Sequence, residues 1–257
     1  MRVRSVPRLD RHIVKPFLLL SSRPEPELAR AEYTSFLQHC GLAPDQLIQI
    51  RVDQQPLPEL DLEKYSGILV GGSPFNACVP ESEKSEVQQR VEAEMSRLLD
   101  RLVPLDFPFF GACYGVATLG LHQGGIVDTT FGETVSAPAI TLTEAGRADP
   151  IARNLPDTFH AYVGHTEAIR ELPETAILLA SSGPCPVQMF RVGANMYATQ
   201  FHPELDQDAL AQRVLAYDGH GYYPNGEAAA TLAILQGMDV APAHSLLMNF
   251  ALRYAKD

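Results

Sequence analysis

Three short stretches of this 257-residue chain combine residue types that together could cleave an acyl bond. The first is Gly111-Ala112-Cys113-Tyr114-Gly115, a G-x-nucleophile-x-G pattern with cysteine in the nucleophile's place. A thiol on a tight strand-to-helix turn sits in strained backbone, and glycines two residues to either side leave room for crossing segments. The turn also brings the sulfur to a helix N-terminus, where partial positive charge favours thiolate and N–H groups can hold an oxyanion. The second stretch is Gln200-Phe201-His202-Pro203-Glu204. A thiol needs a base, and the base needs a third group to fix its tautomer. Residues two apart in an extended segment face the same side, so His202 and Glu204 can meet while Pro203 restricts the backbone between them. The third is Gly71-Gly72-Ser73-Pro74, a turn whose N–H groups could complete an oxyanion hole. Each has a plainer reading alone: a buried cysteine in a glycine-flanked turn, a surface turn with an incidental histidine and glutamate, an ordinary loop.

Each stretch follows a segment with strand character. Strand-like and amphipathic helical segments alternate through the first half, the signature of βαβ units and a mainly parallel sheet in an α/β fold. Phe17–Ser21 reads as a strand, followed by a helix over Glu27–Cys40 that Gly41 stops. Leu47–Val52 is a second strand, and Gly67–Val70 a short, continuously apolar one that ends at the glycine pair. Apolar positions recur at helical steps between Ser82 and Leu102. Phe107–Phe110 then runs as a strand into the cysteine turn and a helix through His122. The second half adds β-like segments at Ala139–Thr143, Thr158–Val163, Ile177–Ala180, Pro186–Val192 and Met196–Gln200, with a hairpin-like turn at Gly193-Ala194-Asn195. Helices are predicted over Gln207–Tyr217 and in the last 30 residues. Open α/β sheets place their sites at the C-terminal ends of strands, where all three stretches fall.

In the order glycine loop, cysteine turn, His-x-Glu, these residues resemble the class I glutamine amidotransferases, specifically the glutaminase portion of GMP synthetase and its free-standing relatives. The resemblance covers Phe17 to Tyr217 and includes Gly124-Gly125 after the cysteine turn. It implies a three-layer, flavodoxin-like fold with a mainly parallel sheet flanked by helices and additional antiparallel strands. It implies that Cys113 attacks the side-chain amide of glutamine to form a γ-glutamyl thioester, that His202 moves the proton to the departing ammonia, and that Glu204 orients His202. Gly72 and Tyr114 would supply oxyanion N–H groups, with Ser73 beside them, and no metal or organic cofactor is required. His165, in Val163-Gly164-His165-Thr166-Glu167, lies where GMP synthetase-like proteins carry a substrate-site histidine, although a lone histidine in a turn is more often structural. The family's elbow carries a glutamine four residues after the cysteine, and here that position is Ala117. This departure points toward another γ-glutamyl compound, or toward glutamine held through different contacts.

At this length there is no room for a synthetase half, and neither a P-loop nor an S-G-G-x-D-S signature occurs. Ammonia would pass to a separate synthetase partner, or the chain would be a hydrolase of γ-glutamyl peptides or conjugates. A reading from another class is a non-catalytic or thiol-sensing binding protein built on an oxidisable elbow cysteine. The formal net charge of −11, from 20 Lys+Arg against 31 Asp+Glu, argues against nucleic acid and anionic membranes as partners. No apolar stretch reaches the roughly 20 residues of a membrane span, and the basic start at Arg2, Arg4, Arg8 and Arg11 lacks a signal peptide's apolar run. Four scattered cysteines, Cys40, Cys78, Cys113 and Cys185, fit neither a disulfide framework nor zinc spacing and suit a reducing cytoplasm; all but Cys113 read as inert. One domain is expected over 1–257, with a loose arm at 1–15 and a helical extension at 218–257. Its apolar segment Ala243–Tyr254 reads as buried within the chain rather than as a dimer contact, with a homo-oligomer left open. The loop-like Asp218–Tyr223 carries no assigned chemistry.

Overall fold

A computed structural model describes residues 15–217, 223 and 226–257, so most of the expected N-terminal arm and the Asp218–Tyr222 loop lie outside the described residues. Lys15 is tied down: its N–H donates to the Lys256 carbonyl at 2.8 Å. The apolar run Phe17–Ser21 forms β1, buried along its whole length. Helix α1 (Pro26–Cys40) has proline in its first turn and ends at Gly41, whose φ of 68° is the left-handed cap that glycine adopts without a Cβ penalty. After β2 (Leu47–Arg51) and β3 (Gly67–Val70) comes α2 (Glu86–Leu105), opened by Ser85, whose side chain accepts from the Gln88 N–H. Pro104 sits in the last turn of α2, which runs three residues beyond the predicted Leu102 and stops at Asp106 (φ 44°). β4 (Phe109–Ala112) and α3 (Tyr114–His122) flank Cys113.

The second half is β-rich, as expected, with more pieces than the sequence shows. It holds β5 (Ile126–Asp128), β6 (Glu133–Ser136), β7 (Ala139–Leu142), the short α4 (Glu144–Ala148), β8 (Thr158–His160), β9 (Val163–His165) and β10 (Ala168–Glu171). β11 (Ala176–Ser181), β12 (Met189–Val192) and β13 (Met196–Thr199) follow, and then α5 (Gln207–Ala216), α6 (Ala228–Leu235) and α7 (Ala241–Tyr254). The predicted strand Thr158–Val163 is two strands in two sheets: β8 pairs β7, whereas β9 pairs β6.

Nine strands form one sheet in the order β2-β1-β3-β4-β13-β12-β11-β7-β8. From β2 to β13 every pairing is parallel, and from β13 to β8 every pairing is antiparallel. The parallel part has the flavodoxin-type order, with β13 in the fifth strand's place. Successive side chains of β1 serve opposite faces. Phe17 and Leu19 join α1 and α7 through Phe36, Leu246 and Phe250, while Leu18 and Leu20 join α2 and α3 through Val91, Leu98 and Leu119. This gives the helix–sheet–helix layering. Phe250 of α7 is fully buried, its ring 5.5 Å from that of Phe110 and 4.8 Å from that of Tyr254. His39 at the end of α1 stacks on His244 of α7 at 3.8 Å, and His244 Nδ1 lies 2.7 Å from the Pro203 carbonyl. Among the described residues no helix is long and apolar enough to cross a membrane.

Candidate active site

β4 lies between β3 and β13, in register with Gly111 opposite both Val70 and Ala198. Because the three strands are parallel, the glycine loop, Cys113 and His202 leave the sheet at one edge, side by side. Cys113 is the residue between β4 and α3, with φ 55° and ψ −83°. That conformation is strained for a residue with a Cβ, and the surroundings hold it: the Cys113 N–H donates to the Thr199 carbonyl at 2.7 Å, and its carbonyl accepts from Val116 at 2.9 Å. The flanking glycines are not equivalent, contrary to expectation. A Cβ on Gly111 would meet the Gly115 Cα at 2.6 Å, whereas one on Gly115 would have nothing within 4 Å. The close approach therefore constrains Gly111. Gly72 is equally confined, since a Cβ there would meet Arg23 Nη2 at 2.4 Å and His202 Cε1 at 2.9 Å. The N–H of Tyr114 opens α3, where the first turn leaves such groups unpaired within the helix.

His202 Nδ1 is 2.7 Å from Glu204 Oε1, and both side chains are buried. A carboxylate only accepts, so the shorter Glu204 contact assigns the proton to Nδ1, with Arg213 directing its donor at Glu204 rather than at the ring, and leaves the Nε2 lone pair available as a base. Burial holds His202 below its ordinary 6.5 despite the opposing pull of Glu204. Burial would raise Glu204, yet His202 and Arg213 outweigh it and hold the carboxyl well below its usual range. The sequence reading missed Arg213 and its neighbours. Arg213 Nη1 donates to Glu204 Oε1 at 3.3 Å and lies 3.0 Å from His202 Nδ1. Behind it, Arg23 Nε pairs with Glu32 Oε1 at 2.9 Å, Arg23 Nη1 donates to the Tyr217 hydroxyl at 3.0 Å, and Ser21 donates to Glu32. These groups come from the end of β1, the middle of α1 and the end of α5. No motif spacing links them; the available signals were Arg23 directly after an apolar strand and Glu32 on the buried face of α1.

Two pockets meet at Cys113, Ser73 and Gly164. One also takes in Phe75, Tyr114, Ala117, Glu167 and Gln200; the other takes in His202, Arg23, Arg213, Val214 and Tyr217. Cys113 is half-buried, and desolvation pushes its thiol up to about 12, against the opposing pull of Arg23. His165 borders the first pocket but is engaged from behind, with Nε2 2.9 Å from Glu133 Oε2 and Nδ1 2.9 Å from the Glu167 carbonyl. Gln188 donates to the same Glu133 oxygen at 2.8 Å. Cys185, Glu133 and His165 offer ligand atoms within 4.8 Å of one another, a second Cys-His-Glu grouping that could hold a metal ion. Unlike Cys113, Cys185 is fully buried, and burial pushes its thiol to about 12. All four cysteines are free thiols. Glu167 ties down the segment that follows Phe75, accepting from the Ala77 and Cys78 N–H groups at 3.0 and 2.9 Å.

A family model described as "Glutamine amidotransferase class-I" matches residues 31–218. The chain belongs to the class I glutamine amidotransferases. Among curated members of known name, gamma-glutamyl peptidase 3 of Arabidopsis thaliana is 29% identical over 170 residues, which is 63% of this chain and 64% of that protein. The glutamine-hydrolysing GMP synthase of Christiangramia forsetii is 26% identical over 160 residues, 62% of this chain but 28% of that protein. The chain thus spans less than two thirds of either relative. A solved glutamine amidotransferase from Thermotoga maritima superposes with a TM-score of 0.71 at 18% identity, covering 93% of this amidotransferase and 97% of that one. The likeness shows the same fold, an α/β sheet flanked by helices.

Proposed function

We propose that this class I amidotransferase is a cysteine amidohydrolase acting on a γ-glutamyl amide, glutamine being the simplest, through Cys113, His202 and Glu204. The observation that carries the reading is the convergence of a strained Cys113 with a buried His202–Glu204 pair around one pocket. His202 Nε2 takes the thiol proton as sulfur attacks the γ-carbonyl, so a neutral thiol–imidazole pair at rest suffices. The Gly72 and Tyr114 N–H groups face the developing oxyanion, with Ser73 at the pocket's junction. The C–N bond breaks as His202 returns the proton to the amine, and water then hydrolyses the thioester to glutamate. His165 braces the pocket wall through Glu133 rather than touching the reacting atoms. Ala117 leaves the acyl pocket without the family's glutamine side chain, which favours γ-glutamyl peptides or conjugates as a second reading. Where ammonia is the product, a separate synthetase subunit accepts it. The chain acts as one domain, with no cofactor, in a reducing cytoplasm that keeps Cys113 free; a homo-oligomer is compatible with this chemistry. A thiol sensor has no need of the buried His202–Glu204 pair. The test is glutamate release from glutamine and γ-glutamyl dipeptides by wild type and Cys113→Ala. Release by wild type and loss of at least about 10³-fold in the variant is expected; equal rates would remove Cys113 from the mechanism.

A further inference from the structure

The proton that His202 takes from Cys113 must be handed to the departing nitrogen, which fixes the side on which the amine leaves. His202 lines only one of the two pockets that meet at the sulfur. The acyl chain therefore occupies the Phe75–Ala117–Glu167 side, and the amine departs into the side lined by Arg23, Arg213, Leu210 and Val214. Ammonia needs no such surroundings. Leu210 and Val214 are buried apolar residues on α5, and the same pocket is lined by the buried guanidinium of Arg23 and by that of Arg213, a half-buried neighbour of Val214 on α5.

Both guanidiniums keep donors in reserve. Arg23 uses Nε for Glu32 and Nη1 for Tyr217, and Arg213 directs Nη1 at Glu204. Arg213 Nη2 stands 3.9 Å from Glu32 Oε1, beyond hydrogen-bond reach, and among the described residues neither Nη2 makes a hydrogen bond. Arg23 Nη2 lies against Gly72, the residue before Ser73 of the pocket lining. Paired planar donors beside apolar walls suit a carboxylate carried on a small apolar amine.

We propose that this pocket is a leaving-group subsite that takes an apolar amino acid, its carboxylate held by Arg23 and Arg213 and its side chain by Leu210 and Val214. The proposal rests on the γ-glutamyl thioester reading above. The overall reaction balances: the Cys113 S–C bond forms, the amide C–N bond breaks, and the amino acid leaves with the thiol's proton. Water then restores the thiol and releases glutamate.

The wild-type chain tests it on three substrates with the same acyl half: γ-glutamyl-leucine, γ-glutamyl-3-methylbutylamide, which lacks only the carboxylate, and glutamine. A kcat/KM for the leucine conjugate roughly 10- to 100-fold above that of the methylbutylamide is expected from charge-assisted hydrogen bonds to the carboxylate. Equal values for those two conjugates overturn the subsite and leave the thioester reading standing. Turnover of none of the three overturns the thioester reading instead, and the subsite is then read from protection of Cys113 against iodoacetamide. Protection by leucine but not by 3-methylbutylamine supports it, and equal protection refutes it. Arg23→Lys, which keeps the charge opposite Glu32 and loses the planar fork, is expected to narrow the leucine-to-methylbutylamide ratio; an unchanged ratio counts against Arg23.

Discussion

Desolvation raises the Cys113 thiol and lowers His202, each away from its charged form. The active form requires His202 unprotonated. Its proton affinity is held below the ordinary 6.5, so the acid limb of kcat/KM is expected to be centred below 6.5. A pH–rate profile checks this, and an acid limb centred above 6.5 contradicts it. Residues that share a short motif were legible: His202 and Glu204 are two apart, and the cysteine sits between two glycines. Arg23, Glu32 and Arg213 were not, because a buried charge network drawn from three elements leaves no local pattern. Ionised residues at 0–3% side-chain exposure, such as Arg23 and Glu32, are identified only by the partners that burial requires.

At the scale of the element, the strand–turn–helix around Cys113 depends on backbone contact between Gly111 and Gly115. Gly111→Ala places a methyl 2.6 Å from the Gly115 Cα, so a lower melting temperature and a large loss of activity are expected. Gly115→Ala meets nothing and replaces a glycine inside α3, so it is expected to leave stability unchanged or raise it by up to about 1 kcal/mol. Thermal melts of the two variants make the comparison, and equal destabilisation would refute it. The parallel elements were readable because Phe17–Ser21 and Gly67–Val70 are apolar runs bounded by turn residues. β5, β6 and β10 were not: each is three or four residues of mixed polarity, and each exists because a distant partner pairs with it. Thr158–Val163 looked continuous, yet it divides between two sheets, which period-two patterning cannot reveal.

For the molecule as a whole, α7 closes one face of the sheet through Phe250, a fully buried ring packed against β1, β4 and β13 residues. Phe250→Ala is expected to cost about 3–5 kcal/mol, read as a lower urea midpoint, and a change under about 1 kcal/mol would show that α7 is not integral to the core. The His39–His244 stack makes the same interface acid-sensitive. Burial, reinforced by His244, pushes His39 down to about 4 from 6.5. The folded state thus refuses a proton that the unfolded chain accepts, and stability is lost as pH falls from 6.5 towards 4. His39→Leu is expected to flatten the melting temperature across that window, and an unchanged slope would assign the effect elsewhere. The pairing of β4 with β13 sets an order of events during synthesis. The chain is made from its N-terminus, so Cys113 emerges long before the strand that carries His202 to its side. Until then the nascent chain holds a cysteine without its base, and β4 presents an unpaired edge. Catalytic competence therefore waits on synthesis through β13 and His202, and a ribosome-stalled fragment ending before Met196 is expected to be inert because Cys113 lacks its base.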